Sequence, residues 1–236
     1  MQSAQSVNIF TRPRNKLNEY LKIAWVPYVA PFVLFLLLTE PARHFPALSP
    51  YLYILKTFLV GALLWYWRAK YKEDLSAKLT GAEMLSAICC GLLVLVIWIV
   101  PENYLFKVGE STPFNPQALG NSSAAAMVFI AVRLLGSSLV VPVMEELFWR
   151  SFLMRYLVNP DFRLVTMGTF SWFSFLGTAL FFGAEHHRIV VGVIAGVLYG
   201  LLLIRQKKLW GVIIAHAVTN LGLGIYILAT GSWYFW

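Results

Sequence analysis

Two adjacent glutamates, Glu145 and Glu146, stand with Arg150 inside a mainly apolar run at 139–157. Ionisable side chains at membrane depth cost at least a few kcal/mol each, so they normally face a protein interior or a water-filled cavity. Glu146 and Arg150, four residues apart, share a helix face and can neutralise one another. Glu145 is rotated about 100° away and has no partner on its own helix. An isolated carboxylate in a low-dielectric cavity is the raw material of a general base or acid. His216 lies in the apolar run 210–229, which holds no Asp, Glu, Lys, Arg or other His, and Asn220 follows four residues on, on the same face. Together they offer two hydrogen-bond donors converging on one point, as a developing oxyanion requires, although a buried His–Asn pair can equally be interhelical glue. His186 follows Phe182 by four positions, with Glu185, His187 and Arg188 beside it. Taken alone, it reads as an ordinary polar helix end.

These residues must be held by elements that the composition already restricts. The chain has 236 residues, 59% hydrophobic and 16% aromatic, with only 13% charged. A soluble domain carries about 25% charge, and so much apolar surface could not be hidden in a soluble protein of this size. A soluble enzyme, a disordered chain and a nucleic-acid module are excluded. The expectation is an all-α membrane protein, a polytopic bundle of about 7–8 transmembrane helices forming a single membrane domain over 1–236. Candidate spans are 23–39, 51–67, 84–100, 124–157, 167–183, 189–204 and 210–229, each judged against the ~20 apolar residues a span needs. The segment 124–157 would be about 51 Å long as one helix, well beyond a core of about 30 Å. Arg133, Gly136 and Pro142 lie inside it, so either an interfacial helix precedes a span of 137–157 or one long helix tilts and breaks near Pro142.

Lys and Arg cluster in alternate connections, as the positive-inside rule expects. Arg12, Arg14, Lys16 and Lys22 precede the first span; Arg68, Lys70, Lys72 and Lys78 follow the second. Arg155 and Arg163 flank the turn at 159–161, and Arg205, Lys207 and Lys208 precede the last span. The net charge of +8 is therefore an orientation signal first and a contact with anionic lipid headgroups second. Residues 1–22 are expected to be a cytoplasmic N-terminal segment, retained rather than cleaved as a signal peptide. Cys89 and Cys90 are adjacent and define no disulfide framework. Tyr51, Tyr53, Trp65–Trp67 and Trp233–Trp236 are expected in interfacial aromatic belts.

Taken in order, Glu-Glu-x-x-x-Arg, Phe-x-x-x-His and His-x-x-x-Asn on three successive apolar segments make a specific pattern. It resembles the intramembrane family of type II CAAX prenyl endopeptidases and bacteriocin-processing proteins, called CPBP or Abi. The matching residues are Glu145, Glu146 and Arg150; Phe182 and His186; His216 and Asn220. They span the motif-bearing helices at 137–229, whereas the three earlier spans match only in being hydrophobic. The string EELFWRSFLMRYL looks like the CAAX-protease-related proteins found alongside exosortase systems in bacteria, which implies a bacterial inner membrane and a functional link to an exosortase.

The resemblance implies an endopeptidase. Glu145 and His186 would activate water, His216 and Asn220 would stabilise the oxyanion, and Glu146 with Arg150 would orient the site. No cofactor is implied. Zinc stays open, because Glu and His are ordinary zinc donors, yet the His-Glu-x-x-His helix motif is absent, and the metal-free reading is preferred. Ser151 and Ser171 sit in no nucleophile signature. The expected substrate is a hydrophobic-tailed or lipidated protein or peptide, cut near its C-terminus or membrane-proximal tail, with membrane lipids as partners and no nucleic acid. The alternative is a non-catalytic immunity or scaffold protein of the same family, or a small proton-coupled transporter, the latter disfavoured because no inverted repeat is visible. One tension follows: His186 at the far end of a straight 167–183 span would lie near the membrane surface opposite His216. The expectation is that Glu145, His186, His216 and Asn220 nevertheless converge in one polar cavity.

Overall fold

The computed structural model describes residues 23–102, 104–105, 107, 115–116 and 124–236. The basic residues expected to set a cytoplasmic N-terminus, Arg12, Arg14, Lys16 and Lys22, lie outside them. Seven helices follow in order: α1 (Val26–His44), α2 (Ser49–Tyr66), α3 (Gly81–Ile99), α4 (Ala124–Tyr156), α5 (Trp172–Ala184), α6 (Ile189–Gln206) and α7 (Leu209–Thr230). There is no strand among the described residues. Each of the seven apolar runs is a helix. Four of them, α3, α4, α6 and α7, are long and apolar enough to cross a membrane, and the apolar stretches of α1 and α5 are shorter.

Local chemistry sets the ends. Thr80 caps α3 by accepting from the Glu83 amide, while the Glu83 carboxylate accepts from the Thr80 amide, a capping box. Glu83 also takes Lys208 at 2.7 Å, tying the start of α3 to the start of α7. Ser171 caps α5 through the Ser174 amide. The α6–α7 hairpin turns at Lys207, the one non-glycine residue with positive φ among those described. At 54° it sits in the left-handed region that helix C-caps use.

The long helix α4 runs from Ala124 to Tyr156 as one helix, without the break expected of it. It changes register twice, with π-helical turns at Gly136–Val140 and Leu147–Leu153. Pro142 follows the first of these and has no N–H to return to the preceding turn, which favours the wider local winding. The second lies directly after Glu146 and contains Arg150, and such turns are often found at functional sites.

Close helix packing depends on missing side chains. A Cβ on Gly91 of α3 would run into the backbone carbonyl of Ala215 on α7. One on Gly192 of α6 would meet Gly183 Cα on α5 at 2.9 Å. In hydrocarbon, where hydrophobic burial gives helices no reason to associate, such close approach is a principal source of packing energy. The far end of α4 is fixed by polar contacts instead: Arg155 bonds Asp74 at 2.9 Å and Ser151 Oγ at 2.7 Å, and Tyr28 of α1 donates to the other Asp74 oxygen at 2.6 Å.

The aromatic expectation needs correction in part. Tyr51 and Trp65 are exposed, as a belt requires, but Tyr53 and Trp67 are buried. Tyr53 and Trp236 line an internal cavity. Their helix-terminal positions look interfacial in sequence, and only the packing of α2 and the C-terminal turn against α4 and α7 turns them inward.

Candidate functional site

Helix α4 delivers the acidic pair into the bundle. Glu146 is 0% exposed and Arg150 1%. The expected pair is present, with Arg150 Nε 3.2 Å from Glu146 Oε2 and its Nη1 donating to Oε1 at 3.2 Å. The guanidinium also lies over the Phe182 ring at 4.3 Å and the Tyr199 ring at 5.5 Å. This gives Phe182 of the second motif a physical task, since an aromatic face stabilises a desolvated cation.

Helix α7 supplies the third motif. His216 Nδ1 lies 2.8 Å from Glu146 Oε1, and its ring stacks on Tyr199 at 5.3 Å. Tyr199 is held by donating to Thr219 Oγ1 at 2.7 Å, and Thr219 donates on to the Gly91 carbonyl at 2.8 Å. An ionised Glu146 can only accept, so Nδ1 of His216 carries a proton and Nε2 faces the cavity. There it stands 4.0 Å from Glu145 Oε2, an atom with no hydrogen bond to any described residue. Asn220, one turn on, donates one amide proton to the Ser137 carbonyl at 2.8 Å, which leaves its second amide proton for the cavity.

His186 reaches the same cavity as Glu145, and α5 is short. Its 13 residues rise about 20 Å, against a hydrocarbon thickness of about 30 Å. The chain turns back at residues 185–188, a partly buried segment beside the cavity. His186 Nδ1 lies 2.7 Å from the Phe182 carbonyl. A carbonyl accepts only, so Nδ1 is protonated and Nε2 is the acceptor face of a neutral ring. Trp98 packs edge-on against it at 5.3 Å.

Glu145, His186, His216 and Asn220 thus line one cavity of about 300 Å³, together with Trp98, Phe182 and Tyr199. Glu146 and Arg150 lie behind it rather than on its wall. The residue types include an oxygen base, two imidazole Nε2 atoms and an amide donor, groups able to move protons to and from water and to receive an oxyanion. No three His, Cys, Asp or Glu side chains among the described residues form a group arranged to hold a metal ion.

Two features of the site were not legible in the motifs. Glu185, read as part of a polar loop, accepts from Trp149 Nε1 at 3.2 Å and so pins the turn to α4. Arg188 makes a two-pronged pair with Glu102, at 2.5 and 2.7 Å, and donates to the Tyr234 carbonyl at 3.3 Å. The second clamp joins residues 86 positions apart, a pairing for which no local signal exists. Burial alone would push the Glu102 carboxyl up, but hydrogen bonds from Arg188 and Lys107 outweigh it and hold the group below the usual carboxylate range. The clamp's contribution is full above the unfolded carboxylate pKa and is lost as pH falls through the lower, folded value. Glu102→Gln removes this acid-sensitive step and about 2 kcal/mol of charge-assisted bonding. Unfolding measured from pH 3 to 7 should show the gap between variant and wild type closing at low pH; a constant gap would rule the clamp out as its origin.

Residues 125–222 match the family described as type II CAAX prenyl endopeptidase Rce1-like. The matched segment contains all three motifs. No curated protein and no solved structure matches the chain.

Proposed function

We propose that this chain, whose residues 125–222 match the Rce1-like CAAX protease family, is an intramembrane endopeptidase that cuts near the C-terminus or membrane-proximal tail of a hydrophobic-tailed or lipidated substrate. The observation that carries this reading is the convergence of the three motif-bearing segments on one cavity.

Glu145 and the bare Nε2 of His186 remove a proton from water as its oxygen attacks the peptide carbonyl. The carbonyl oxygen becomes an oxyanion. It is received by the second amide proton of Asn220 and by His216 when its Nε2 is protonated. Collapse breaks the C–N bond, and the proton taken from water passes to the leaving nitrogen. Water's OH ends on the new carboxyl group and its hydrogen on the new amine. Glu146 and Arg150 act through His216, whose ring they hold by its Nδ1 proton, and are positioning residues. All of these steps proceed without a metal.

Location follows the same reading. The alternating basic connections support a cytoplasmic N-terminus, and the resemblance of the string EELFWRSFLMRYL to exosortase-associated proteins supports a bacterial inner membrane and the exosortase association.

The test is cleavage of prenylated and plain hydrophobic-tailed peptides by the purified protein, with the cut located by mass spectrometry. The expected result is a single cut close to the C-terminus whose rate is unchanged by chelators. Loss of activity on chelation and its return with zinc would replace the metal-free mechanism. Intact peptides across the panel would remove the protease reading itself.

A further inference from the structure

Beside the reaction cavity lies a second one of about 380 Å³ that shares His186, Asn220 and Trp236 with it. Its wall carries Lys56 of α2 and Arg133 of α4. The motif mechanism uses neither residue.

Lys56 is 7% exposed. Its ammonium donates to Thr39 Oγ1 at 2.8 Å and lies over the Phe35 ring at 4.0 Å and the Tyr53 ring at 5.0 Å. An ammonium has three donors, and among the described residues this one has a single hydrogen-bond acceptor. Arg133 is sandwiched by aromatics, 4.6 Å from the Tyr53 ring and 5.1 Å from Trp236. No described Asp or Glu pairs with either cation. Two cations turned into one cavity repel each other, and rings compensate a desolvated charge only in part. Arg133 is half-buried; the other buried basic side chains among the described residues, Arg150, Arg155 and Arg188, each have a carboxylate, whereas Lys56 does not. The remaining wall includes apolar residues such as Phe35, Leu223 and Ile227.

We infer that Lys56 and Arg133 form a subsite for an anionic oxygen group, continuous with the reaction cavity, and that its occupant is the free carboxylate at the end of a hydrophobic substrate tail. The phosphate of an anionic lipid presents the same chemistry. Resting on the protease reading, the subsite acts as a ruler: it holds the last residue of the chain and so determines which upstream peptide bond meets Glu145 and His186. Arg suits the bidentate oxygen pair of a carboxylate, and Lys supplies a point charge on a flexible stem.

The experiment reads binding, so it does not depend on turnover. Glu145→Gln protein in phosphatidylcholine nanodiscs is titrated with a fluorescent hydrophobic peptide ending in a free carboxylate and with the same peptide ending in an amide. The acid should bind about 10- to 100-fold more tightly, the effect of one or two charge-assisted hydrogen bonds. Lys56→Met or Arg133→Met should erase most of that gap while leaving amide binding unchanged, which also reports a folded protein. Lys56→Arg and Arg133→Lys should retain it. If acid and amide bind alike, but replacing phosphatidylcholine with phosphatidylglycerol raises thermal stability only while both cations are present, the anion is lipid phosphate and the substrate assignment falls. Equal peptide binding with no lipid effect overturns the subsite altogether. Failure of the wild type to cleave while the acid–amide gap persists would instead count against the protease reading and leave the subsite standing.

Discussion

Glu145→Gln should reduce tail cleavage by about 10²- to 10⁴-fold while leaving the protein folded, the range that loss of a positioned general base produces. The substitution keeps the side chain's shape and its polar end in the cavity, and removes the ability to take a proton. Three observations make Glu145 the group to change. It is buried, its Oε2 is free of hydrogen bonds to described residues, and it lies on the cavity wall with His186 and His216. Glu146, its neighbour in sequence, is committed to Arg150 and His216. The measurement is kcat on a tail peptide alongside thermal unfolding in the same detergent. Unchanged unfolding with a rate within tenfold of wild type would move the base elsewhere. His216→Ala should lower the rate by a comparable 10²–10³ through loss of an oxyanion donor.

Arg150→Met should destabilise the bundle by about 3–5 kcal/mol, because it leaves a carboxylate buried without its cation. Glu146 is 0% exposed. The methionine fills similar space against Phe182 and Tyr199, so lost packing is the smaller effect. The double variant Glu146→Gln/Arg150→Met removes both charges and should recover most of that stability. Activity should not return with it, since the Nδ1 proton of His216 then faces a neutral amide oxygen in place of the carboxylate. Denaturant unfolding of both variants, with cleavage rates in parallel, separates the two effects. A double variant no more stable than Arg150→Met alone would mean that the pair is not what the bundle depends on here.

Much of this arrangement is legible before folding because membrane chemistry leaves few places for charge. Once 59% of the chain is hydrophobic and 13% charged, Glu145, Glu146 and Arg150 stand out within their run, and i, i+4 spacing pairs Glu146 with Arg150 without further information. His216 stands out in the same way, whereas His186, among Glu185, His187 and Arg188, is marked only by its place in the combined pattern. Their relative depth is not legible, since it turns on where α5 begins. The apolar run opens near Met167, but the helix starts at Trp172, after the Ser171 cap. A difference of one turn and a half decides whether His186 meets Glu145 or the opposite surface.

What sequence alone determines about this protein is its helical membrane class, its seven apolar runs and the identities of the groups able to do chemistry, because burial in lipid filters residue types one position at a time. What only tertiary structure decides is which of those groups face each other. Glu102 on Arg188, Glu185 on Trp149, Asp74 on Arg155, and Lys56 and Arg133 across one cavity are pairings between segments distant in the chain. Helical periodicity orders residues along and around a single helix. It carries no term for the rotation and depth of one helix against another, which small-residue contacts such as Gly91 against Ala215 set.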